Sequence, residues 1–214
     1  MTITTSVVVL GPTASGKSDV AMAAATQRGE VHIIAADAMQ VYTRMDIGTA
    51  KPTRTDRDQV IHHGLDLAEP SERYTVARYM DDIAMARETI GAQNAAELIV
   101  GGTGLYIKAF CEGLDDIPSI DPSVRSSIIE SYESNGLIWL QEQLKQKDPV
   151  YWEQAEQENP HRLMRALEVY EGLGKSILTF QCHQKKQRPF EIKLIGLEME
   201  RSLLYNRIKR RLYI

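Results

Sequence analysis

Gly11-Pro12-Thr13-Ala14-Ser15-Gly16-Lys17-Ser18 follows the β-rich run Ser6–Leu10 and leads into the alanine-rich stretch Ser18–Gln27. The octapeptide fits G-x-x-x-x-G-K-[ST] between a strand and a helix, the setting in which that pattern has a mechanism. Its glycines let backbone N–H groups turn toward phosphate oxygens, and the following helix N-terminus adds positive potential. Lys17 supplies a point charge for the distal phosphates and Ser18 a hydroxyl for Mg²⁺. The motif defines a di- or triphosphate site and leaves the reaction open.

Outward from this loop, Val31–Ala36 and Leu98–Val100 are apolar runs of strand length; the first ends at Asp37, the second in Gly101-Gly102-Thr103-Gly104. Thr75 is placed as an N-cap. Val76, Tyr79, Met80, Ile83 and Ile90 then recur at helical spacing, with Gly91 near the stop. Residues 44–70, rich in Gly, Pro and charge, read as loops. Strands alternating with helices imply an α/β fold, a P-loop NTPase-like parallel sheet flanked by helices. From Pro118 the strand signal disappears. Asp121-Pro122 and Asn159-Pro160 are helix starts, and Gly174 is a stop. The pattern divides the chain into a P-loop core over 1–117, a helical insertion over 118–158, and a return to the core over 159–214. That last part contains a strand over Glu191–Leu197 and a basic amphipathic helix over Arg201–Tyr213, within which the sequence ends.

Net charge is −4, unevenly spread: residues 175–214 hold ten Lys/Arg against three Asp/Glu, and residues 1–174 hold fifteen against twenty-six. A basic segment on an acidic body suits an enzyme that meets a polyanion on one face. Cys111 and Cys182 form neither a disulfide framework nor a metal-ligand spacing. His62-His63 lacks a third ligand at useful spacing and reads as a loop or sheet-edge pair. Trp139, Tyr151 and Trp152 read as packing of the helical hairpin, with base stacking as the alternative. The N-terminus has no signal-peptide pattern and no apolar run is long enough for a membrane span, so a cytoplasmic protein is expected.

Six segments together closely resemble the tRNA dimethylallyltransferase (isopentenyl-diphosphate:tRNA isopentenyltransferase) family. They are GPTASGKS at 11–18, DAMQVY at 37–42, MDIGTAKP at 45–52, HHGLD at 62–66, VGGTGLYIKAF at 100–110 and NPHRLMRALEVYEGLGKSI at 159–177. The resemblance implies transfer of a dimethylallyl group from its diphosphate to N6 of the adenosine at tRNA position 37, 3′ of the anticodon. It implies Asp37, Thr103 and Lys17 as catalytic residues. Diphosphate binding would fall to Gly11, Pro12, Thr13, Ala14, Ser15, Gly16, Lys17, Ser18 and Arg211. Mg²⁺ would sit on Ser18 and the substrate diphosphate. Asp37, Ala38, Met39, Gln40 and Thr103, with His161, Arg162, Leu163, Met164 and Arg165, would meet the tRNA anticodon stem-loop, and residues 118–158 would face it. A monomer is expected. The family commonly has Ser where Ala38 follows Asp37, and its chains continue past the R-I-x-x-R helix, here Arg207 and Arg211, so a missing C-terminal part is expected. The alternatives are a P-loop small-molecule or nucleoside kinase, an adenylate isopentenyltransferase, and an inactive RNA-binding remnant.

Overall fold

The structure, a computed structural model, describes residues 4–181 and 185–212, with only the backbone of Arg211 and Leu212. Cys182 and Tyr213 lie outside the described residues. The chain forms two compact units, Met1–Gly113 with Lys185–Ile214, and Leu114–Gln184.

The first unit is built on five strands: β1 (Thr5–Leu10), β2 (Val31–Ala36), β3 (His62–His63), β4 (Ala96–Gly101) and β5 (Glu191–Gly196). They run in the order β3-β2-β4-β1-β5 and every pairing is parallel. All six residues of β2 are buried, as expected of an inner strand of a parallel sheet covered on both faces. The two-residue period then sorts neighbours to opposite faces. Val8, Ile34 and Ile99 pack with Tyr79, Ile83 and Ile90 of α3 (Val76–Ala92) and with Tyr106 and Phe110 of α4 (Gly104–Glu112). Val9, Ile33 and Val100 pack with Ala21 and Ala25, one turn apart on α1 (Lys17–Arg28).

Residues 44–70 hold more regular structure than expected. The short helix α2 (Arg54–Gln59) starts at a capping box in which Thr53 and Asp56 bond each other's backbone N–H, a T-x-x-D signal hidden by the surrounding charge. His62 and His63 form the edge strand β3, paired to Ile33 and Ile34. His32 Nδ1 and His63 Nε2 are 2.9 Å apart, with the rings stacked. Desolvation by burial lowers the pKa of His32, His62 and His63; for His63 the neighbouring histidines add to it.

Within the sheet, Glu97 is a buried carboxylate with a complete set of partners. Arg87 Nε lies 2.9 and 3.0 Å from its two oxygens, and Ser6 Oγ donates to Oε1. The Arg87 guanidinium also stands 3.6 Å from the centroid of the Phe190 ring. One cation thus ties α3 to β4, β1 and the segment entering β5.

The second unit holds α5 (Pro122–Lys147), α6 (Pro149–Gln154) and α7 (Pro160–Leu173). Gly136 interrupts α5 with φ 74° and ψ −170°. Asn159 caps α7, with Pro160 in its first turn and left-handed Gly174 ending it. Leu163, Met164, Leu167 and Val169 of α7 pack with Ile128, Leu140 and Leu144 of α5, and Trp139, Tyr151 and Trp152 pack against that core. The helix from Pro160 was expected to return to the sheet. It belongs instead to the helical unit, and the chain rejoins the first unit at Lys185. An apolar stripe at helical spacing marks a buried face without naming what buries it. The last helix, α8 (Arg201–Leu212), follows β5 as expected. Among the described residues no helix is long and apolar enough to cross a membrane.

Arg87→Ala leaves the Glu97 charge buried and unpaired, and is expected to cost about 3–5 kcal/mol in urea denaturation. Adding Glu97→Leu should recover much of that loss; equal stability of single and double variants contradicts the account. For the histidines the folded-state pKa lies below the unfolded value, so the stability they contribute is full above about pH 6.5 and is lost as pH falls below it. The melting temperature should therefore drop between pH 7.5 and 5.5, and His63→Gln should shrink the drop. An unchanged drop in His63→Gln removes the histidines from the explanation.

Candidate active site

The phosphate loop leaves the end of β1 and turns into α1. Ala14 has φ 60°, and Gly16, the N-cap, has φ 92°, a left-handed value that glycine adopts without cost. With no side chain on Gly16 to cap the helix, the first N–H groups of α1 remain available to an anion. Lys17 Nζ donates to the carbonyls of Gly11 and Pro12, at 2.8 and 2.7 Å, so the ammonium lies against the loop. Ser15 Oγ is buried with no hydrogen-bond partner among the described residues, a donor suited to a phosphate oxygen.

Two neighbouring strand ends complete the site. A Cβ on Gly101, at the end of β4, would lie 2.0 Å from the Ala36 carbonyl oxygen, and one on Gly102 would lie 3.9 Å from Lys17 Nζ. The tips of β2 and β4 therefore touch beside the phosphate loop. Across that contact the Thr103 N–H donates to the Ala36 carbonyl and Thr103 Oγ1 accepts from the Ala38 N–H at 2.9 Å. Because its oxygen accepts there, the Thr103 hydroxyl keeps its own proton to donate elsewhere. Asp37 Oδ1 accepts from the N–H groups of Met39 and Gln40, at 2.9 and 3.3 Å. These bonds set the carboxylate in a turn instead of leaving it on a mobile side chain.

A cavity of about 730 Å³ lies between the phosphate loop and the Asp37 turn, and Ser15 and Thr103 are not among the residues that line it. Thr13, Ala14, Gly16, Lys17 and Ser18 line one side, Asp37 and Gln40 another, and Thr49–Thr53 the wall. Such a position, outside the carboxyl ends of parallel strands, is where open α/β sheets bind ligands. Arg207 and Arg210 of α8 also line it, and Arg207 pairs with Asp19 at 3.5 Å. Arg210 was not singled out from sequence, although its i+3 spacing from Arg207 puts both on one helix face. The Arg211 side chain lies outside the described residues. Among the described residues no three His, Cys, Asp or Glu side chains gather as a metal site. The donor set fits a Mg²⁺ held by the Ser18 hydroxyl, diphosphate oxygens and water, since that ion binds through few protein ligands.

The expected RNA contacts divide. Met39 is exposed and Ala38 follows Asp37 in the cavity-side turn, whereas the Gln40 side-chain amide donates to the Thr49 and Ala50 carbonyls. His161 and Arg162 are exposed on α7 and Arg165 is partly so. Leu163 and Met164, expected to contact tRNA, are core residues of the helical unit at 0% and 6% exposure; helical periodicity turns them inward.

A model of the family described as IPP transferase matches residues 40–213. The chain belongs to the IPP transferase family. A second model, Isopentenyl transferase, matches residues 4–62. The tRNA dimethylallyltransferase 1 of Bacteroides fragilis (strain YCH46) is 36% identical over 99% of this chain and 70% of its own. The tRNA dimethylallyltransferase 2 of Geotalea uraniireducens (strain Rf4) is 38% identical over 97% and 67%. Among solved structures, a eukaryotic dimethylallyltransferase acting on tRNA superposes with a TM-score of 0.82 at 25% identity, covering 98% of this chain and 52% of that one. The tRNA isopentenylpyrophosphate transferase of Bacillus halodurans gives 0.61 at 35% identity, covering 98% and 65%. The chain thus spans between about half and 70% of the length of these family members.

Arg207→Ala and Arg210→Ala each remove a cation from the cavity wall and are expected to weaken dimethylallyl diphosphate binding roughly five- to tenfold by calorimetry. Unchanged affinity in both would place the diphosphate away from α8.

Proposed function

We propose that this chain transfers a dimethylallyl group from dimethylallyl diphosphate to N6 of the adenosine at tRNA position 37, in the anticodon stem-loop, releasing diphosphate. The observation that carries the reading is the shared cavity: a phosphate loop and the turn-held carboxylate of Asp37 face one space at the ends of β1, β2 and β4. In this reaction the C1–O bond to the diphosphate breaks, the N6–C1 bond forms, and one N6 proton leaves. The N–H groups at the start of α1, the Ser15 hydroxyl and Lys17 bind the diphosphate and stabilise the charge that develops on it. Mg²⁺ on Ser18 and the diphosphate oxygens would supply further charge neutralisation. Asp37 accepts the N6 proton as the bond forms, and Thr103, bonded to the Ala36 carbonyl and the Ala38 N–H, steadies the turn that carries Asp37. An amine that is a weak nucleophile gains most from placement, which the bonded turn at Asp37 provides.

The acceptor reading draws on the family and on charge. Residues 185–214 carry nine Lys/Arg against three Asp/Glu, whereas the helical unit, 114–184, carries six against twelve. Phosphate contacts from the RNA therefore belong mainly to the segment that contains α8. The adenine must leave its stack to reach a cavity of this kind. A monomer acting in the cytoplasm suits this reading.

The test is transfer of labelled dimethylallyl to an anticodon stem-loop with adenosine at the target position. Asp37→Ala is expected to lower kcat at least about a hundredfold with dimethylallyl diphosphate affinity retained. Transfer at the wild-type rate in Asp37→Ala overturns its role. A melting temperature raised by ATP more than by dimethylallyl diphosphate would favour a kinase instead.

A further inference from the structure

Lys51 lies in the cavity wall, yet its side chain is 0% exposed. Its ammonium has three oxygen partners: the Tyr42 carbonyl at 2.6 Å, Asp66 Oδ1 at 2.6 Å and Asp46 Oδ1 at 2.9 Å. An ammonium has three N–H donors, so the set is complete. The other oxygen of Asp66 takes Arg57 Nη1 at 2.7 Å, and Arg57 Nε donates to the Pro52 carbonyl. Lys51 and Arg57 thus fasten the segment from Asp46 to Arg57 to Asp66, and Lys51 fastens it through the Tyr42 carbonyl to the segment that follows Asp37.

Fold stability does not by itself call for a charge here. A buried ion pair replaced by apolar groups of similar volume is often no less stable, because desolvation offsets the Coulombic gain. The distinctive product of this arrangement is geometry. Tyr42 and Gln40 belong to the same short stretch as Asp37. Lys51 holds the Tyr42 carbonyl, while the Gln40 carboxamide holds the Thr49 and Ala50 carbonyls in the opposite direction. Gln40 N–H in turn bonds the Asp37 carboxylate. The wall Thr49–Thr53 and the Asp37 turn are therefore one laced piece, separate from the phosphate loop, and Lys51 is the point at which it is fastened.

We propose that Lys51 is a positioning residue for the acceptor side of the reaction: its buried ammonium fixes the Asp37–Tyr42 stretch and the Thr49–Thr53 wall, and so sets where the base stands relative to the diphosphate. It touches neither reactant. This inference rests on the transferase reading above.

The test is Lys51→Met, which keeps an unbranched side chain one atom shorter and removes the charge. Labelled transfer to the anticodon stem-loop is measured beside direct binding of dimethylallyl diphosphate by calorimetry. Lys51→Met is expected to lose on the order of ten- to a hundredfold in kcat and to raise the KM for RNA, while dimethylallyl diphosphate affinity stays within about twofold. A merely structural role would lower the melting temperature and leave kcat per folded molecule unchanged; that result, or a parallel loss of diphosphate binding, overturns the proposal. Asp46→Asn, at a mostly exposed partner, carries the test if Lys51→Met does not fold: a smaller shift in the same parameters is expected, and none overturns the proposal. Wild-type protein that transfers no label would count against the transferase reading, whereas wild-type transfer matched by Lys51→Met would remove only the role of Lys51.

Discussion

β2 and β4 can end side by side only because residue 101 carries no side chain, since a Cβ there would sit 2.0 Å from the Ala36 carbonyl oxygen. The rest of the site follows from that contact. It brings the Thr103 N–H and hydroxyl onto the backbone of Ala36 and Ala38, which places the Asp37 turn beside β4. The same strand end puts Gly102 next to Lys17. A carboxylate at the end of one strand and a phosphate loop at the end of another thereby share one cavity, although 20 positions separate Lys17 from Asp37 in the sequence. Any side chain at 101 would force the strand tips apart and break the two bonds made by Thr103, so a backbone constraint underlies the proposed chemistry.

Much of this was legible in the sequence because it is local. The phosphate loop is read from eight consecutive residues, and β1, β2, β4, α1 and α3 from runs whose period matches their structure. His62-His63, read as a loop or sheet-edge pair, forms the edge strand β3. What escaped depends on contacts between distant residues. Leu163 and Leu167 stand one turn apart on α7, but only the fold shows that they pack against α5. Lys51 in a polar, proline-flanked stretch looks like a solvated charge until Asp46, Asp66 and the Tyr42 carbonyl converge on it. Arg210 looks like one more basic residue on a basic helix until it is found lining the cavity beside Arg207.

Charge separates the two units in a way that bears on the acceptor. Residues 118–158 were expected to face the RNA, yet the helical unit that contains them carries a net negative charge, and several of its cations are committed internally: Arg125 and Arg165 to Glu168, and Arg162 to Glu156. The positive charge lies in the segment of β5 and α8, whose Arg207 and Arg210 line the same cavity as the phosphate loop. On this distribution the field that attracts a polyanion comes from the segment of β5 and α8, not from the helical unit.

The account turns on the diphosphate lying in the phosphate loop with the allylic carbon toward Asp37. The most direct measurement is a crystal structure with Mg²⁺ and a non-reactive thiolo analogue of dimethylallyl diphosphate. The account predicts the phosphates within hydrogen-bond distance of the N–H groups of Gly16, Lys17 and Ser18, Lys17 Nζ moved from the Gly11 and Pro12 carbonyls onto them, and the dimethylallyl group on the Asp37 side. An analogue bound elsewhere, or bound in the loop with its tail directed away from Asp37, would contradict it.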